Sequence, residues 1–288
     1  MDYSALIRFH RERRADVSLA ALPVSAADAP RFGILQAVDE GRIAAFQEKP
    51  QEAEDLERLV SRHGDARPYL ASMGVYVFGM EALNRLLKEC EGDDFGKHVI
   101  PAAIDTMRVY AFPFEGYWQD IGSISAFYEA NLALTRPNPP LDLYDPDHPL
   151  YARSHNMPPA QIEGCRLHGV LLADGCRLYD ADIEECVIGL RSVVRPGARL
   201  RRVVMMGADC YETGDQKAEN RRLGRPDVGI GKDTRIERAI IDENARIGQG
   251  VTIRSHEGEE DQDGEQYVIR DGIVVIPKRA VIPDGTAL

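Results

Sequence analysis

Aliphatic residues that recur six positions apart constrain this chain more than any other feature. Leu172 and Leu178 keep the spacing, as do Ile188, Val194 and Leu200, then Ile230 and Ile236, then Ile241, Ile247 and Ile253, and finally Ile276, Ile282 and Leu288. Glycine follows several of them, as in Ile188-Gly189, Ile230-Gly231 and Ile247-Gly248. Six residues make one side of a β-helix coil, and each side buries its aliphatic residue in a triangular interior. An ordinary β-sandwich would produce such spacing only by chance, not in several registers from 172 to 288. Two polar segments interrupt the repeat. Residues 207–224 carry Tyr211, Lys217, Arg221 and Arg222, and residues 255–264 carry Glu257, Glu259, Glu260, Asp261 and Asp263. Insertions in a solenoid are expected to protrude as loops from one face.

The first half follows a different pattern. Helical spacing of Tyr3, Leu6, Ile7 and His10 predicts a helix over 2–13, with Asp2 at its start. Short apolar runs at 17–23, 69–78 and 109–114 predict strands. Helices are expected over 51–63, 81–90, 94–105 and 123–134, and this alternation indicates a three-layer α/β domain. Between 32 and 50, two apolar runs flank Asp39-Glu40-Gly41 as in a hairpin, which ends in Phe46-Gln47-Glu48-Lys49-Pro50. Prolines 137, 139, 140, 146, 149, 158 and 159 crowd one aperiodic stretch and mark it as a linker.

Composition narrows the functional classes. A net charge of −12 argues against nonspecific nucleic-acid binding, so an anionic substrate needs locally placed bases or a metal. No apolar run approaches the ~20 residues that span a bilayer, and the first residues lack a signal-peptide pattern, so no membrane partner and a cytoplasmic location are expected. Five cysteines without paired spacing suggest neither a disulfide framework nor a zinc site. Neither Gly-rich phosphate-loop motif occurs.

Several residues admit two roles. Glu48 and Lys49 are either an exposed acid–base pair at a strand end or a carboxylate for sugar hydroxyls beside an ammonium for phosphate. Alternation would put them on opposite faces, but at a strand end before Pro50 both can converge on one pocket. Ser72 is either a buried serine bonded to backbone or a donor to a sugar hydroxyl. Asp120 either caps the helix that starts near Ser123 or ligates Mg²⁺. Lys278 is either solvated or part of an anion site with Lys232, Arg235, Arg238 and Arg246.

Together these segments resemble the glucose-1-phosphate adenylyltransferase (ADP-glucose pyrophosphorylase) family. The resemblance is carried by Ala15-Asp16-Val17-Ser18, Phe32-Gly33, Phe46-Gln47-Glu48-Lys49-Pro50, the run 71–78, Asp94-Phe95-Gly96, the run 116–123 and Met205-Met206-Gly207-Ala208-Asp209. It implies an α/β nucleotidyltransferase domain, Rossmann-like and of GT-A type, over 1–135. A linker over 136–160 and a left-handed parallel β-helix of hexapeptide repeats over 161–288 would follow. It implies synthesis of ADP-glucose and diphosphate from ATP and α-D-glucose 1-phosphate with Mg²⁺, for glycogen or starch, in a homo- or heterotetramer. Gly33, Glu48, Lys49 and Ser72 would contact glucose 1-phosphate, with Lys49 on its phosphate and Asp120 on the Mg²⁺. Lys278 matches an allosteric lysine of the cyanobacterial and plant branch, whereas Glu243 stands where that branch has lysine, which makes a response to 3-phosphoglycerate doubtful.

The resemblance also has gaps. The family's Gly-rich nucleotide loop and second metal aspartate would precede residue 1. The domain is therefore expected to lack its first strands, and the chain alone is expected not to make ADP-glucose. A non-catalytic regulatory subunit is the alternative. A hexapeptide-repeat acyltransferase would leave residues 1–135 unexplained and lacks an obvious coil histidine, since His168 stands alone.

Overall fold

The structure is a computed structural model that describes residues 1–92, 94–151 and 156–288. It contains two compact units, Met1–Trp118 and Gln119–Leu288.

The first unit is built on a five-stranded sheet. Its elements are helix α1 (Tyr3–Glu12), strands β1 (Val17–Val24), β2 (Gly33–Ala37) and β3 (Ile43–Glu48), helix α2 (Ala53–Arg58), strand β4 (Tyr69–Phe78), helices α3 (Met80–Glu89) and α4 (Ile100–Thr106), and strand β5 (Val109–Pro113). The strand order is β3-β2-β4-β1-β5. The β1–β5 pair is parallel, and the other pairs are antiparallel. Asp2 starts α1 by accepting a hydrogen bond from the Ser4 N–H, which satisfies one of the donors left open at a helix start. Helix α2 is shorter than its expected span, because its thin apolar stripe buries little area to hold further turns. Residues 95–99 form a π-helical turn that leads into α4, with the Asp94 carboxylate accepting from the Lys97 N–H. Val17, Leu19 and Ala21 of β1 pack with Leu35, Ile43, Val99, Ile100 and Val109 into the main core of this unit.

The pairing of β1 with β4 contains one irregularity. The register passes from Leu19 opposite Tyr76 to Ala21 opposite Ser72, so β4 carries extra residues there. Gly74 lies in this bulge at φ +70°. A β-bulge bends its strand and re-aims the neighbouring side chains, here Ser72 and Tyr76.

The second unit is a prism of stacked coils. The strands Arg166–Leu172, Asp182–Ile188, Arg199–Met205 and Arg235–Ile241 pair in parallel, with equivalent aliphatic residues in register: Ile183 with Leu200, and Leu200 with Ile236. A six-stranded sheet forms another wall. Leu178, Ile188, Val194, Leu200, Ile230, Ile236, Ile241, Ile247, Ile253, Ile276 and Ile282 all lie in one buried core, with Leu172 and Leu288 packed partly buried against it. Each such side chain contributes about 1.5–3 kcal/mol by leaving water. Corners are turned by left-handed residues that stack coil upon coil: Asp180 with Gly197 and Asp233, and Glu185 with Arg202 and Arg238.

Helix α5 (Ile124–Ala133) lies across the second of these corners. Its Tyr128 is fully buried with Leu132, Val204, Ile240 and Ile273. The Tyr128 hydroxyl donates to the Arg202 carbonyl at 2.7 Å, and the guanidinium groups of Arg202 and Arg238 lie over its ring at 6.0 and 5.5 Å. The insertion after residue 207 does not stay a loop. It forms helix α6 (Gly214–Arg222), started by a capping box in which Thr213 and Gln216 satisfy each other's backbone N–H.

Candidate functional site

The hairpin of β2 and β3 brings Gly33 directly opposite Glu48. The close approach requires glycine, since a Cβ at residue 33 would stand 2.6 Å from the Glu48 carboxylate oxygen Oε2 and equally near the Phe46 ring. A Cβ at Gly96 would come within 2.9 Å of the same oxygen, with the Asp94 carboxylate nearby. The Glu48 carboxylate therefore rests between two backbone segments that carry no side chain.

Ser72 joins this group through Tyr76. The two hydroxyls are neighbours, and the Tyr76 phenol is pushed above its ordinary pKa by burial, with Ser72 opposing the rise and the charges of Glu48 and Asp94 adding to it. The Ser72 Oγ accepts from the Gly74 N–H inside the bulge, at 3.3 Å. The serine thus takes a local backbone bond and still faces a polar cluster. The Tyr76 ring stacks on Phe95 with centroids 5.9 Å apart. Tyr76, Asp94 and Gly96 were not singled out as site residues from sequence. Strand period offered only a weak signal, since the bulge at Gly74 interrupts the alternation between Ser72 and Tyr76.

Lys49 follows at φ +49°, outside the regular strand. The left-handed turn ends the alternation that would have sent residues 48 and 49 to opposite faces. Its N–H donates to the Phe32 carbonyl, and the Gln51 amide grips its carbonyl at 2.9 Å. Pro50 is buried while Lys49 is exposed. Among the described residues neither Glu48 nor Lys49 forms an ion pair, with each other or with anything else. Gly33, Glu48 and Ser72 thus come together around Tyr76, and Lys49 directly continues the strand that supplies Glu48.

Asp120 falls in the second unit. It does not cap α5: Ser123 does, its Oγ accepting from the Ala126 N–H at 3.2 Å. One Asp120 oxygen accepts from the Gly122 N–H, also at 3.2 Å, and the other has no hydrogen bond among the described residues. No group of three or more His, Cys, Asp or Glu residues able to hold a metal occurs among the described residues. Mg²⁺ often takes only one or two protein carboxylates and fills its octahedron with phosphate oxygens and water. A single half-free aspartate fits that habit, but it is no complete metal cage.

Lys278 lies between two carboxylates. Its ammonium bonds Glu243 and stands 3.9 Å from Asp209, and the Glu243 hydrogen bond, followed by the Asp209 charge, raises its pKa. Three of the other bases grouped with it from sequence have partners elsewhere. Arg246 bonds Glu212 at 2.8 Å, Arg238 packs on Tyr128, and Arg235 lines a groove with Asp233.

Family comparison agrees with this two-part architecture. Residues 1–136 match the Nucleotidyl transferase family, and residues 155–287 match the GLGC left-handed parallel beta-helix domain. No helix among the described residues is long and apolar enough to cross a membrane. The chain is therefore a nucleotidyl transferase domain followed by a GLGC left-handed parallel β-helix domain.

Proposed function

We propose that this chain belongs to the glucose-1-phosphate adenylyltransferase family and that its first unit binds the sugar-phosphate substrate. The supporting observation is the polar group at the end of the hairpin, in which the Glu48 carboxylate is seated against Gly33 and Gly96 and flanked by the Ser72–Tyr76 hydroxyl pair. A carboxylate and two hydroxyls complement the hydroxyls of a hexose, and an aromatic face beside them suits its C–H surface. The free ammonium of Lys49 would neutralise the phosphate.

In this reaction a phosphate oxygen of glucose 1-phosphate attacks the α-phosphorus of ATP. A new oxygen–phosphorus bond forms, the bond from the α-phosphorus to the bridging oxygen breaks, and diphosphate leaves. Such a displacement needs alignment and charge neutralisation more than proton transfer. Glu48 would orient the sugar, and Lys49 would lower the repulsion between two anionic reactants. Asp120 would lend a carboxylate to Mg²⁺, which when bound screens the phosphate charge. A glycogen or starch role, a tetramer and a cytoplasmic location belong to the same proposal.

Calorimetric titration with glucose 1-phosphate tests it. Saturable binding is expected, with Lys49→Ala and Glu48→Gln each weakening it about tenfold or more, the loss of one charge-assisted contact. Galactose 1-phosphate, with one hydroxyl inverted, is expected to bind less tightly. Equal affinity of wild type and both variants would overturn the assignment.

A further inference from the structure

The first unit carries two oppositely charged helices on one face of its sheet. Side chains of β1 alternate between the two faces. Leu19 and Ala21 point to the core that holds Leu86 of α3 and Ile100 of α4. Ala20 and Leu22 point the other way and pack with Leu6 of α1. Leu22 and Val24 share that second face and pack with Leu56 of α2 and with Leu59 and Val60 at its exit. Helices α1 and α2 therefore cover the same side of the sheet.

What each helix presents outward differs in sign. Tyr3, Ile7 and Arg11 line up at helical spacing on α1, with Arg8 beside them and Arg14 just past the helix end, and all are exposed. Tyr3 is 61% and Ile7 41% exposed, so the bases surround apolar surface that nothing in the unit covers. Arg8, Arg11 and Arg14 form no ion pair among the described residues, although their neighbour Arg13 bonds Glu40. Along α2 the exposed side chains are acidic. Glu52, Glu54 and Glu57 make neither an ion pair nor a side-chain hydrogen bond among the described residues, whereas half-buried Asp55 accepts from the Gln47 amide at 2.6 Å. The two helices form no ion pair with each other. Each charge is left uncommitted while its complement stands elsewhere on the same face.

A face with a basic half and an acidic half is complementary to a copy of itself turned by half a rotation, because every basic half then meets an acidic one and the contact is made twice. We propose that this face joins two copies of the chain across a two-fold axis, with α1 of each copy on α2 of the other. Arg8, Arg11 and Arg14 would meet Glu52, Glu54 and Glu57 of the second copy, and Tyr3 and Ile7 would leave water between them. Isolated surface ion pairs hold little, so the doubled set and the two apolar side chains act together. An acidic peptide or an anionic membrane would engage α1 alone and leave the glutamates of α2 idle, which favours a second copy as the occupant. Glu48 and Lys49 take no part, so the contact is independent of sugar-phosphate binding.

Sedimentation velocity of the full chain tests it. The wild type is expected to sediment as a dimer or an even multiple of one. A chain reversed on α1 (Arg8→Glu, Arg11→Glu, Arg14→Glu) and a chain reversed on α2 (Glu52→Lys, Glu54→Lys, Glu57→Lys) should each show half that mass or associate at least tenfold more weakly. An equimolar mixture of the two reversed chains, and a single chain carrying all six changes, should each recover the wild-type mass. Reversal on α2 brings the net charge of −12 nearer zero, which by itself would favour association. Loss of the dimer there consequently separates paired contacts from general repulsion. If circular dichroism shows a reversed chain to be unfolded, glutamine at the same positions replaces the reversal, with the same weakening expected. A monomeric wild type, an undiminished mass in either variant, or no recovery in the mixture would overturn the proposal.

Discussion

Lys49 occupies backbone that suits neither its side chain nor its neighbour. A left-handed residue with a Cβ costs about 1–2 kcal/mol, and a following proline also disfavours helical dihedrals. The conformation persists because the Phe32 carbonyl and the Gln51 amide hold the peptide on both sides. Lys49→Gly is therefore expected to raise unfolding free energy by about 1 kcal/mol in urea titration while weakening glucose 1-phosphate binding about tenfold or more, as Lys49→Ala does. A destabilised variant would show that the backbone there is unstrained. Gly74 presents the reverse case. Nothing stands within 4 Å of a Cβ built on it, so space is free and only its φ of +70° resists substitution. Gly74→Ala should cost about 1–2 kcal/mol and weaken sugar-phosphate binding through Ser72 and Tyr76. The glutamate–lysine pair and the serine were legible in the sequence as candidates. Tyr76 was not, because the bulge that aims it beside Glu48 comes from pairing with β1, and neither strand records that pairing alone.

At the scale of elements, helix α5 and the two insertions carry the most information. An amphipathic helix was legible over residues 123–134, but the surface it covers was not. Three apolar residues on the outside of the coils, Val204, Ile240 and Ile273, receive Tyr128 and Leu132. Tyr128→Phe, which leaves the Arg202 carbonyl without its donor, is expected to cost about 1 kcal/mol, and Tyr128→Ala about 3–5 kcal/mol, by thermal or urea unfolding. Helix α6 has almost no apolar face, and its polar sequence reads as a loop. What orders it is polar closure. Buried Asn220 donates to Glu212 and Asp227 and accepts from Arg225. Asn220→Ala should cost about 1–3 kcal/mol and raise protease cleavage within 207–224. In the acidic insertion, hydrogen bonds first from Arg254 and then from His256 hold the Glu259 pKa down to about 2. A depressed carboxyl pKa means that the contact supports the folded loop above the ordinary glutamate range and is lost as pH falls through about 2. A carboxyl-carbon NMR titration of Glu259 should show that low midpoint, and Arg254→Ala should move it upward. A midpoint near 4.5 in the wild type would sink the assignment.

On the scale of the whole molecule, the two compact units have separate cores. The coils bury one continuous aliphatic column from Cys176 to Ile282, and α5 closes an apolar patch outside it. A fragment comprising Gln119–Leu288 is expected to fold cooperatively by circular dichroism and thermal unfolding. A fragment beginning at residue 161 would leave the α5 patch open and should be less stable and more prone to aggregate. Equal behaviour of the two fragments would show that α5 adds nothing. The solenoid was readable in advance because its constraint is local and repeated: each side must bury one aliphatic residue, so spacing alone reveals the interior. The α/β character of the first unit was equally visible in its alternating runs. Strand order, the bulge at Gly74, the seat of α5, the polar anchoring of α6 and the grouping of Glu48 with Tyr76 and Asp94 were decided only in three dimensions. Each depends on which distant segments become neighbours, and such a choice is made by packing and hydrogen-bond closure between segments, not by a period written along any one of them.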